Sequence, residues 1–540
     1  MSETTATPST WSPLTLGVFR ALWLATLVSN IGTWMQTVGA QWLLVEQSNA
    51  ATLVALVQTA NSLPVLLLAL PAGVLADFFD RRRLLLAVQL FLMSVGGLLT
   101  VLTVGGQIPP ALLLAFTFAL GAGTAMQAPV YQALVPDIVP REQLPSASAL
   151  SSISVNLARA VGPALAGVVI SAAGVGVVFA LNAATYALYV GVLLAWRSPM
   201  SATQEPAERF VPALRAGARY VRHAPVVRRM MLRLALFVFP ANALWSLLPV
   251  IASERLDLGS SGYGLLLAAL GGGAVAGAFA LPRLRARLTP TRMLLVASLV
   301  FAAALVVVGT TVDAIVAVVA LVPAGAAWIA VLSNLNAALQ VFLPGWVRAR
   351  ALSTYQLVLF GTIAVSAVGW GAVADTISVA SAFVTAAALL AATGASVLLL
   401  PLMNVEDLDR SPAHLPEPHL VVTPDAAAGP VLVQVTYTVP AERAHRFVQA
   451  MEAVGRSRRR TGATSWRLYR HGEVRDTYVE TFLVPSWSEH LRQHGGRLTG
   501  TDQALDEAAQ SLAVSSPTVA HLLPASVDDP PSPAHRKDDA

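Results

Sequence analysis

Long apolar runs alternate with short polar breaks from about residue 20 to about residue 402. Each run is about 20 residues long, enough for a helix rising 1.5 Å per residue to cross a hydrocarbon core of about 30 Å. No short apolar region with a cleavage site precedes the first run, which is therefore predicted to be an uncleaved helix rather than a signal peptide. The pattern predicts twelve membrane-spanning helices, at about 20–45, 51–76, 84–105, 110–135, 147–173, 176–196, 230–252, 262–282, 292–311, 313–341, 351–373 and 376–402.

Composition supports a membrane protein. Only 12% of the residues are charged and 55% are hydrophobic, whereas soluble domains are about 25% charged and about 45–50% apolar. The chain has no cysteine, which excludes disulfides, thiolate metal sites and a cysteine nucleophile. The net charge of +5 would suit a nucleic-acid partner, so the location of the charges decides its meaning.

The arginines mark one side of the membrane. They cluster in alternate breaks, at Arg81–Arg83, Arg197–Arg233 and Arg283–Arg292, whereas the opposite breaks hold Arg255 and several acids. Positively charged loops stay in the cytoplasm. We therefore expect a multi-pass protein of the cell (inner) membrane with both termini cytoplasmic, and no nucleic-acid partner.

The longest break inside the membrane part separates six predicted spans from six. It contains an amphipathic basic stretch, Ala207–His223, which either lies against anionic lipid or is a solvated linker helix. The predicted organisation is a cytoplasmic N-terminus at 1–19, a six-helix half at 20–197, a cytoplasmic linker at 198–229, a second half at 230–402, a linker at 403–430, a soluble domain at 431–525 and a disordered tail at 526–540.

An internal repeat supports two equivalent halves. The segment Gly73–Arg83 after span 2 aligns with Gly277–Arg287 after span 8, so that Arg81 matches Arg285. Equivalent positions in two six-helix halves indicate parallel repeats related by an axis along the membrane normal.

The segment Gly73–Arg83 also resembles the signature loop of the major facilitator superfamily. The resemblance implies the major facilitator fold and a cytoplasmic conformational gate formed by Gly73, Asp77, Arg81, Arg82 and Arg83. A carboxylate at Asp77 can meet the positive end of a helix from the other half, and span 11, which starts near Arg350, is the expected partner. The arginines set the topology and could pair with Asp80. Alternatively, Asp77 and the arginines only cap helices and obey the positive-inside rule.

The segment Asn156–Gly167 resembles the fifth-helix motif of exporters that work as antiporters. Its motif residues are Arg159, Gly162, Pro163 and Gly167. Further phrases resemble the enterobactin-exporter-like secretion transporters, part of which carry a cytoplasmic C-terminal domain. These phrases are Ser29–Gln36, Ala133–Asp137 and Pro140–Glu142.

Arg159 lies about a dozen residues into span 5. A buried arginine there costs at least ~2.5–3.5 kcal/mol unless it faces a wet cavity or a partner. Ser148, Ser152 and Asn156 share its helical face. Arg159 is therefore a candidate for contacting an anionic substrate group or for coupling, the alternative being a structural pair with an interior polar group.

Amides and tryptophans mark further binding candidates. Spans 1, 4, 7 and 10 line the cavity in the superfamily, which implies a lining for a mixed-polarity organic molecule. Hydrogen bonding between helices is the alternative role for each. With the span 5 residues, the candidates are Asn30, Trp34, Gln36, Gln41, Gln127, Asn156, Arg159, Asn242, Trp245 and Asn334.

Coupling to protons needs a titratable group. No Asp or Glu falls in the middle of a predicted span, and Glu46 at the end of span 1 is the first candidate. The segment Ala111–Val135 lacks the fourth-helix arginine often linked to proton transfer in the superfamily. Proton antiport therefore rests on the family resemblance.

After Met403 the pattern becomes that of a soluble α+β domain. Strand, helix, hairpin, helices and a final strand predict a β-α-β-β-α-β ferredoxin-like unit. It resembles small domains related to antibiotic-biosynthesis monooxygenases, some enzymatic, others binding or dimerising. His490 and His494, four residues apart, could hold a metal or haem, but exposed polar histidines are the simpler interpretation, and no cofactor or metal is expected.

The sequence predicts a transporter rather than an enzyme: a secondary exporter, by proton-coupled antiport and alternating access, of a siderophore, drug or secondary metabolite. The partners expected are this small molecule, protons and the lipid bilayer, with dimerisation through the soluble domain as one option. The alternative is a membrane-anchored enzyme or sensor acting through that domain. The chain has no phosphate-binding Gly-x-x-x-x-Gly-Lys motif, which argues against transport driven by ATP.

Overall fold

The computed structural model describes residues 11–196, 210–402, 408–413, 420, 424–426 and 428–525. The predictions for the first ten residues, for the start of the cytoplasmic linker and for the tail from 526 concern residues outside this part. The chain forms two compact units. Unit 1 comprises Met1–Ala207, Met231–Asn336 and Tyr355–Leu402, and unit 2 comprises Glu208–Met230, Ala337–Thr354 and Met403–Ala540.

Within the described residues, twelve long helices and one shorter helix precede the C-terminal domain that the sequence predicts to be soluble (the soluble domain). The first half contains α1 (Gly17–Leu43), α2 (Ala50–Phe78), α3 (Arg81–Val104), α4 (Pro110–Ile138), α5 (Leu144–Ala173) and α6 (Val175–Ala195). A shorter helix, α7 (Phe210–His223), lies in the break between the halves. The second half contains α8 (Pro225–Val250), α9 (Ser260–Arg285), α10 (Pro290–Thr310), α11 (Ala314–Phe342), α12 (Gly345–Thr376) and α13 (Val379–Ala395).

Eleven helices in the described chain are long and apolar enough to cross a membrane. The helix α1 covers the first predicted span but is not one of the eleven. Its sequence is interrupted by buried polar side chains, among them Thr26, Ser29, Gln36 and Gln41. The prediction of a mostly helical multi-pass membrane protein is thus confirmed, whereas the twelfth crossing stays a prediction.

Polar side chains fix where several helices begin. Asp80 precedes α3 and accepts a hydrogen bond from the Arg83 backbone N–H at 2.7 Å. Thr289 caps α10 in the same way, and Ser378 caps α13. Such caps satisfy backbone donors that have no partner inside the helix. Asp80 therefore serves as a helix cap rather than as the ion-pair partner of the neighbouring arginines.

The internal repeat read from the sequence recurs in the contacts. In the first half, Arg81 donates to the Ala133 carbonyl of α4 at 3.0 Å. In the second half, Arg285 donates to the Ser333 carbonyl of α11 at 3.2 Å. The helices α3 and α6 pack together, as do their counterparts α10 and α13. Residues aligned by sequence thus make the same kind of contact in both halves.

Unit 2 combines the soluble domain with helical segments from the membrane part of the chain. The domain contains β2 (Val431–Thr438), α14 (Ala444–Thr461), β3 (Ser465–Arg470), β4 (Thr477–Val484), α15 (Trp487–Arg492), α16 (Gly500–Gln510) and β6 (Thr518–Leu522). Two short strands, β1 (Pro412–Ala413) and β5 (Leu498–Thr499), pair with each other. The other four form an antiparallel sheet in the order β3-β4-β2-β6.

The predicted periodicities hold in this domain. Val431, Val433, Val435 and Tyr437 point to one face of β2 and are buried. Phe447, Met451 and Val454 on α14 are buried against that face. Alternating apolar residues on a strand and apolar residues at helical spacing bury one face each, which produces a sheet covered by a helix.

The amphipathic helix α7 also belongs to unit 2, where it packs against α14. Tyr220 on α7 is 1% exposed and makes an edge-on contact with Trp346, with ring centroids 5.7 Å apart. Burial against protein raises the pKa of Tyr220 to about 12. The sequence offered lipid or solvent as the surroundings of this helix, but this part of it faces the soluble domain.

Candidate functional site

Arg159 lies in the middle of α5, half-buried, with its guanidinium carbon 5.5 Å from the ring centroid of Trp34 on α1. Among the described residues, no side chain or carbonyl pairs with this guanidinium by a hydrogen bond or an ion pair. A cation on an indole face is favourable by about 0.5–2 kcal/mol, less than a full ionic partner inside a membrane would supply. The charge of Arg159 is therefore held in place but left available.

A chain of tryptophans continues from Trp34 into the second half. Trp34 lies 6.3 Å from Trp245 of α8, which lies 5.8 Å from Trp328 of α11. The indole N–H of Trp245 is buried and has no hydrogen-bond partner among the described residues. The junction of the halves thus offers aromatic faces, one cation and one free donor, which suits an organic molecule carrying negative or carbonyl oxygens.

Gln41 closes this junction at the end of α1. Its side-chain oxygen accepts from the Tyr263 hydroxyl of α9 at 2.7 Å, and its amide donates to the Trp245 carbonyl at 3.4 Å. Both Gln41 and Tyr263 are buried, at 2% and 1% exposure. Gln41 therefore joins the two halves by hydrogen bonds, the role that the sequence analysis held open as the alternative.

The motif glycines of α5 form a close helix seam. A Cβ on Gly167 would lie 2.7 Å from the Ser260 carbonyl oxygen and 3.0 Å from the Gly264 Cα of α9. A Cβ on Gly162 would lie 2.7 Å from the Trp34 Cβ. Small residues let helix backbones approach in this way. With Pro163 between them, these positions shape a face of α5 that packs on α1 and on the other half.

A carboxylate joins the halves near the start of α2. Asp375, at the end of α12, accepts a hydrogen bond from the Thr52 backbone N–H at 2.9 Å. Further along the same pair of helices, the Thr59 hydroxyl donates to the Ala364 carbonyl at 3.0 Å. A carboxylate at a helix N-terminus is favourable because it satisfies a free N–H and the helix dipole. The end of the bundle predicted to be external is thus held together by polar contacts.

The arginines of the signature loop lie at the start of α3, where two of them contact neighbouring helices of the first half. Arg81 forms an ion pair with Asp137 of α4 at 2.9 Å, and Arg82 donates to the Leu193 carbonyl at 2.9 Å. Arg83 is exposed. Gly73 and Asp77 lie within α2, but their side-chain surroundings lie outside the described part of the structure, so the gating contact of Asp77 stays a prediction.

The remaining binding candidates differ in their hydrogen bonds and in their burial. Asn30 donates to the Ser154 hydroxyl of α5 at 3.2 Å, and Asn156, which is exposed, donates to the Ser152 carbonyl one turn away. Asn242 is buried, with its amide 2.9 Å from the Ser366 hydroxyl of α12. Gln127 and Asn334 are buried on α4 and α11. Asn30 and Asn242 thus hydrogen-bond to neighbouring helices, and their contact with substrate stays a prediction.

Gln36 faces the interior of the first half. Its side-chain oxygen accepts from the Asn182 amide of α6 at 2.6 Å. Together with Asn61 and Thr117 it lines a small polar cavity between α1, α2, α4 and α6. A separate cavity of about 520 Å³ between α8, α12 and α13 is lined by apolar residues and two threonines, with no charged side chain. Neither cavity includes Arg159 in its lining.

The acids of unit 1 with described side chains lie near helix ends. Glu46, the coupling candidate, is exposed in the turn between α1 and α2. Its role in coupling stays a prediction.

The soluble domain contains a buried ionic network that the sequence analysis missed. Glu480 on β4 is fully buried and accepts from Tyr437, Trp466 and Arg458 at 3.0, 2.8 and 3.2 Å. Arg458 also donates to both carboxylate oxygens of Asp506, each at 2.9 Å. Burial opposes the charge of Arg458, but these carboxylates raise its pKa above its ordinary value. Since every charge has a partner, the network stabilises the domain core.

His490 also departs from the sequence interpretation. Its side chain is buried at 2% exposure rather than solvated, and His494 is half-buried. A third histidine, His521 on β6, lies beside them, with its ring centroid 4.9 Å from that of His490. His521 lies far from the other two along the chain, so the sequence gives no signal for this cluster. Tyr263 and Trp328 of the junction were likewise not identified from the sequence.

Comparison with known proteins adds the family context. The profile of a family described as transmembrane secretion effectors matches residues 8–527. A staphyloferrin A transporter of Staphylococcus aureus is 25% identical over 276 residues, covering 51% of this chain and 69% of the relative. A macrolide efflux protein A of Streptococcus pyogenes is 23% identical over 235 residues, covering 43% and 58%. An enterobactin exporter of Salmonella typhimurium is 27% identical over 284 residues, covering 52% and 67%.

Solved structures share the fold of the membrane part. A bacterial homologue of the lysosomal transporter Spinster, in an inward-facing and unoccupied conformation, aligns with a TM-score of 0.56 at 16% identity, covering 71% of this chain and 94% of that one. A nucleoside transporter aligns with a TM-score of 0.57 at 10% identity, covering 71% and 100%. At these identities the likeness concerns the arrangement of helices.

Proposed function

Because the chain belongs to the transmembrane secretion effector family of the major facilitator superfamily, we propose that it exports a small organic anion through the junction of its two six-helix halves. The family resemblance read from the sequence is confirmed, and the family consists of transporters rather than enzymes. The protein is thus a multi-pass membrane transporter of small molecules. The enzyme alternative is dropped.

One observation carries the choice of substrate class: the Arg159 guanidinium rests on the Trp34 ring with no anion to pair with among the described residues. An uncompensated cation inside a membrane bundle is costly, and a carboxylate or other anionic oxygen of the substrate would compensate it. The neighbouring tryptophans would contact the rings or apolar parts of that substrate. By their names, the relatives handle siderophores and macrolides, and the cation favours the siderophore class here.

Alternating access is the mechanism we propose. Several contacts between the halves lie toward the ends of α1, α5 and α12 and the starts of α2 and α9. Breaking them would open one side of the junction, while the gate residues Gly73, Asp77 and Arg81 to Arg83 would close the other. Two mutually exclusive sets of contacts are what a two-state rocking motion requires.

Several finer points belong to the same proposal. The helix α1 makes the twelfth crossing, which places both termini in the cytoplasm in agreement with the arginine distribution. Protons drive the exchange, with Glu46 as the first candidate for the coupling carboxylate. The strand order β3-β4-β2-β6 with two covering helices supports a ferredoxin-like soluble domain, whose exposed edge strand β3 would serve dimerisation.

Transport by reconstituted protein tests the substrate class. Full-length protein in proteoliposomes is given two labelled probes, an anionic siderophore and a macrolide. The variant Arg159→Gln removes the charge, Arg159→Lys keeps it, and Arg292→Gln changes an exposed arginine at the start of α10. Loss of a charged hydrogen bond of about 1.5–3 kcal/mol predicts that Arg159→Gln transports the siderophore at least ~10-fold more slowly.

The outcomes separate the possibilities. We expect Arg159→Lys to retain part of the siderophore transport and the Arg292→Gln control to match the parent protein. If Arg159→Gln transports each probe at the same rate as the parent protein, the anion-binding role is wrong. A pH-sensitive dye in the same vesicles tests coupling: if the siderophore moves no protons, antiport is wrong, and if Glu46→Gln leaves proton movement intact, Glu46 is not the coupling group.

A further inference from the structure

Three histidines from separate elements converge in the soluble domain. His490 lies on α15, His494 in the turn Gln493–Arg497 that follows it, and His521 on β6. One ring nitrogen of each can be chosen so that all three atoms lie within 4.8 Å of one another. The ring centroids of His490 and His494 are 4.7 Å apart. Three imidazoles this close constitute a potential ligand set.

The buried member of the cluster has an unused nitrogen. His490 is 2% exposed, and its Nε2 has no hydrogen-bond partner among the described residues. Leaving a buried polar atom unpaired costs about 1–3 kcal/mol, so an atom in this position indicates a missing partner. The opposite ring nitrogen, Nδ1, lies 3.3 Å from the side-chain oxygen of Gln493. Such a contact fixes the orientation of the ring and leaves Nε2 as the ligand atom.

The surroundings disfavour the charged form of two of the three histidines. Burial, together with the nearby His494 and His521, lowers the pKa of His490 to about 3. Burial also lowers the pKa of His521 below its ordinary value. Neutral imidazole is the form that binds metal ions.

The donor set selects the kind of ion. Calcium and magnesium bind oxygen ligands, and the cluster consists of nitrogen donors. Imidazole suits zinc, copper, nickel and iron. Zinc–nitrogen bonds of about 2.0–2.1 Å in a tetrahedron place the nitrogens roughly 3.4 Å apart, so small side-chain rotations of the half-buried His494 and His521 would close the cluster around an ion.

We propose that His490, His494 and His521 form a binding site for a divalent transition-metal ion, with Zn²⁺ as the expected occupant. Three imidazoles fill three tetrahedral positions and leave the fourth open to water or to another ligand. The site lies in the soluble domain and is independent of the proposed transport substrate. It adds a metal to a chain for which the sequence predicted none.

The ion would order a segment that also makes long-range contacts within unit 2. Glu489, beside His490, accepts from Arg497 at 2.7 Å and lies 3.9 Å from Arg219 of α7. A metal bridging α15, the following turn and β6 would hold this stretch in one conformation. Occupancy of the site is therefore expected to reduce amide exchange in residues 487–497.

Metal titration of the full-length protein tests the proposal. The protein is purified in detergent with a tag free of histidine, stripped with a chelator and titrated with Zn²⁺ by calorimetry. Co²⁺ serves as a second, coloured probe. We expect one Zn²⁺ per chain, a tetrahedral Co²⁺ absorption spectrum, and slower amide exchange in 487–497 when Zn²⁺ is present.

Variants locate the site. His494→Gln and His521→Gln change half-buried members and should weaken Zn²⁺ binding by roughly 100-fold or more, since even an outer-shell change costs about 10–100-fold. His445→Gln, at an exposed position on α14, should bind like the parent protein. Absence of stoichiometric binding in the parent would overturn the proposal, as would binding that survives both cluster substitutions. If His490→Ala fails to fold, the other two variants still decide the outcome.

Discussion

A methyl group on Gly167 should push α5 and α9 apart. In the seam, a Cβ at this position would lie 2.7 Å from the Ser260 carbonyl oxygen and 3.0 Å from the Gly264 Cα, whereas ordinary Cβ contacts begin at 3.4 Å. Both obstacles are backbone atoms, which cannot rotate away as a side chain would. Relief therefore requires the helices to separate by roughly 0.5 Å or more.

The energy of this separation sets the size of the effect. Inserting a methyl group into a packed interface costs about 1–3 kcal/mol. If the seam exists in only one of the two transport states, the substitution Gly167→Ala raises the free energy of that state alone. A difference of about 1–3 kcal/mol shifts the ratio of two states by about 5- to 150-fold. The population of the state in which α5 and α9 are in close contact should therefore fall.

Distance measurements by pulsed electron paramagnetic resonance report this shift. The chain contains no cysteine, so spin labels attach only at introduced sites. Gln47 and Ile377 are exposed, in the turn after α1 and directly after α12. Labels at Gln47→Cys and Ile377→Cys should show a larger population of long distances in Gly167→Ala.

A neighbouring glycine supplies the control. Gly272 lies on α9, and a Cβ there would have no atom within 4 Å. Gly272→Ala should therefore leave both the distances and the transport rate unchanged. Identical distance distributions in Gly167→Ala and the parent protein would refute the reasoning, because the α5–α9 contact would then not separate the two states.

Three further predictions concern charged groups. Asp375→Ala removes the carboxylate that accepts from the Thr52 backbone N–H. Loss of such a cap costs about 0.5–2 kcal/mol and should increase the population of long distances between the spin labels. An unchanged distance distribution would contradict this. Glu480→Gln breaks a buried ionic network and should destabilise the soluble domain by about 3–5 kcal/mol, seen as faster amide exchange in β4, while the exposed Glu473→Gln should leave exchange unaltered. Burial opposes the ionisation of Asp502, but its arginine and hydroxyl partners hold its pKa below the ordinary value. The stability that this carboxylate contributes is complete above the unfolded pKa of about 3.9 and is lost as the pH falls through the folded pKa. If Asp502→Asn unfolds in acid like the parent protein, this prediction is wrong.

The sequence predicted the features that depend on local pattern. The strand β2 and the helix α14 follow from periods of two and 3.6 residues, since one face of each is buried and the other is not. The equivalence of Arg81 and Arg285 followed from the repeat, and both donate to carbonyls on equivalent helices. Patterns that recur along the chain can be read without knowing which elements meet in space.

The direction of single polar residues in α1 could not be read. Trp34 faces Arg159 and the second half, whereas Gln36, two residues later, faces Asn182 of α6. A membrane helix is apolar on most of its surface, so hydropathy does not distinguish a side that faces lipid from one that faces protein. The partner of Gln41, Tyr263, lies on a helix of the other half, and only the folded structure brings the two together.

The composition of unit 2 bears on how this protein can be engineered. The segment Ala337–Thr354, which ends α11 and begins α12, belongs to the same compact unit as the soluble domain. Arg410 lies over the Phe342 ring at 3.8 Å, and Arg497 over the Trp346 ring at 4.8 Å. A chimera that exchanges only the chain from Met403 onward would break these matched pairs. The exchangeable module is therefore the soluble domain together with α7 and the loop between α11 and α12, and functional hybrids should require all three from one parent.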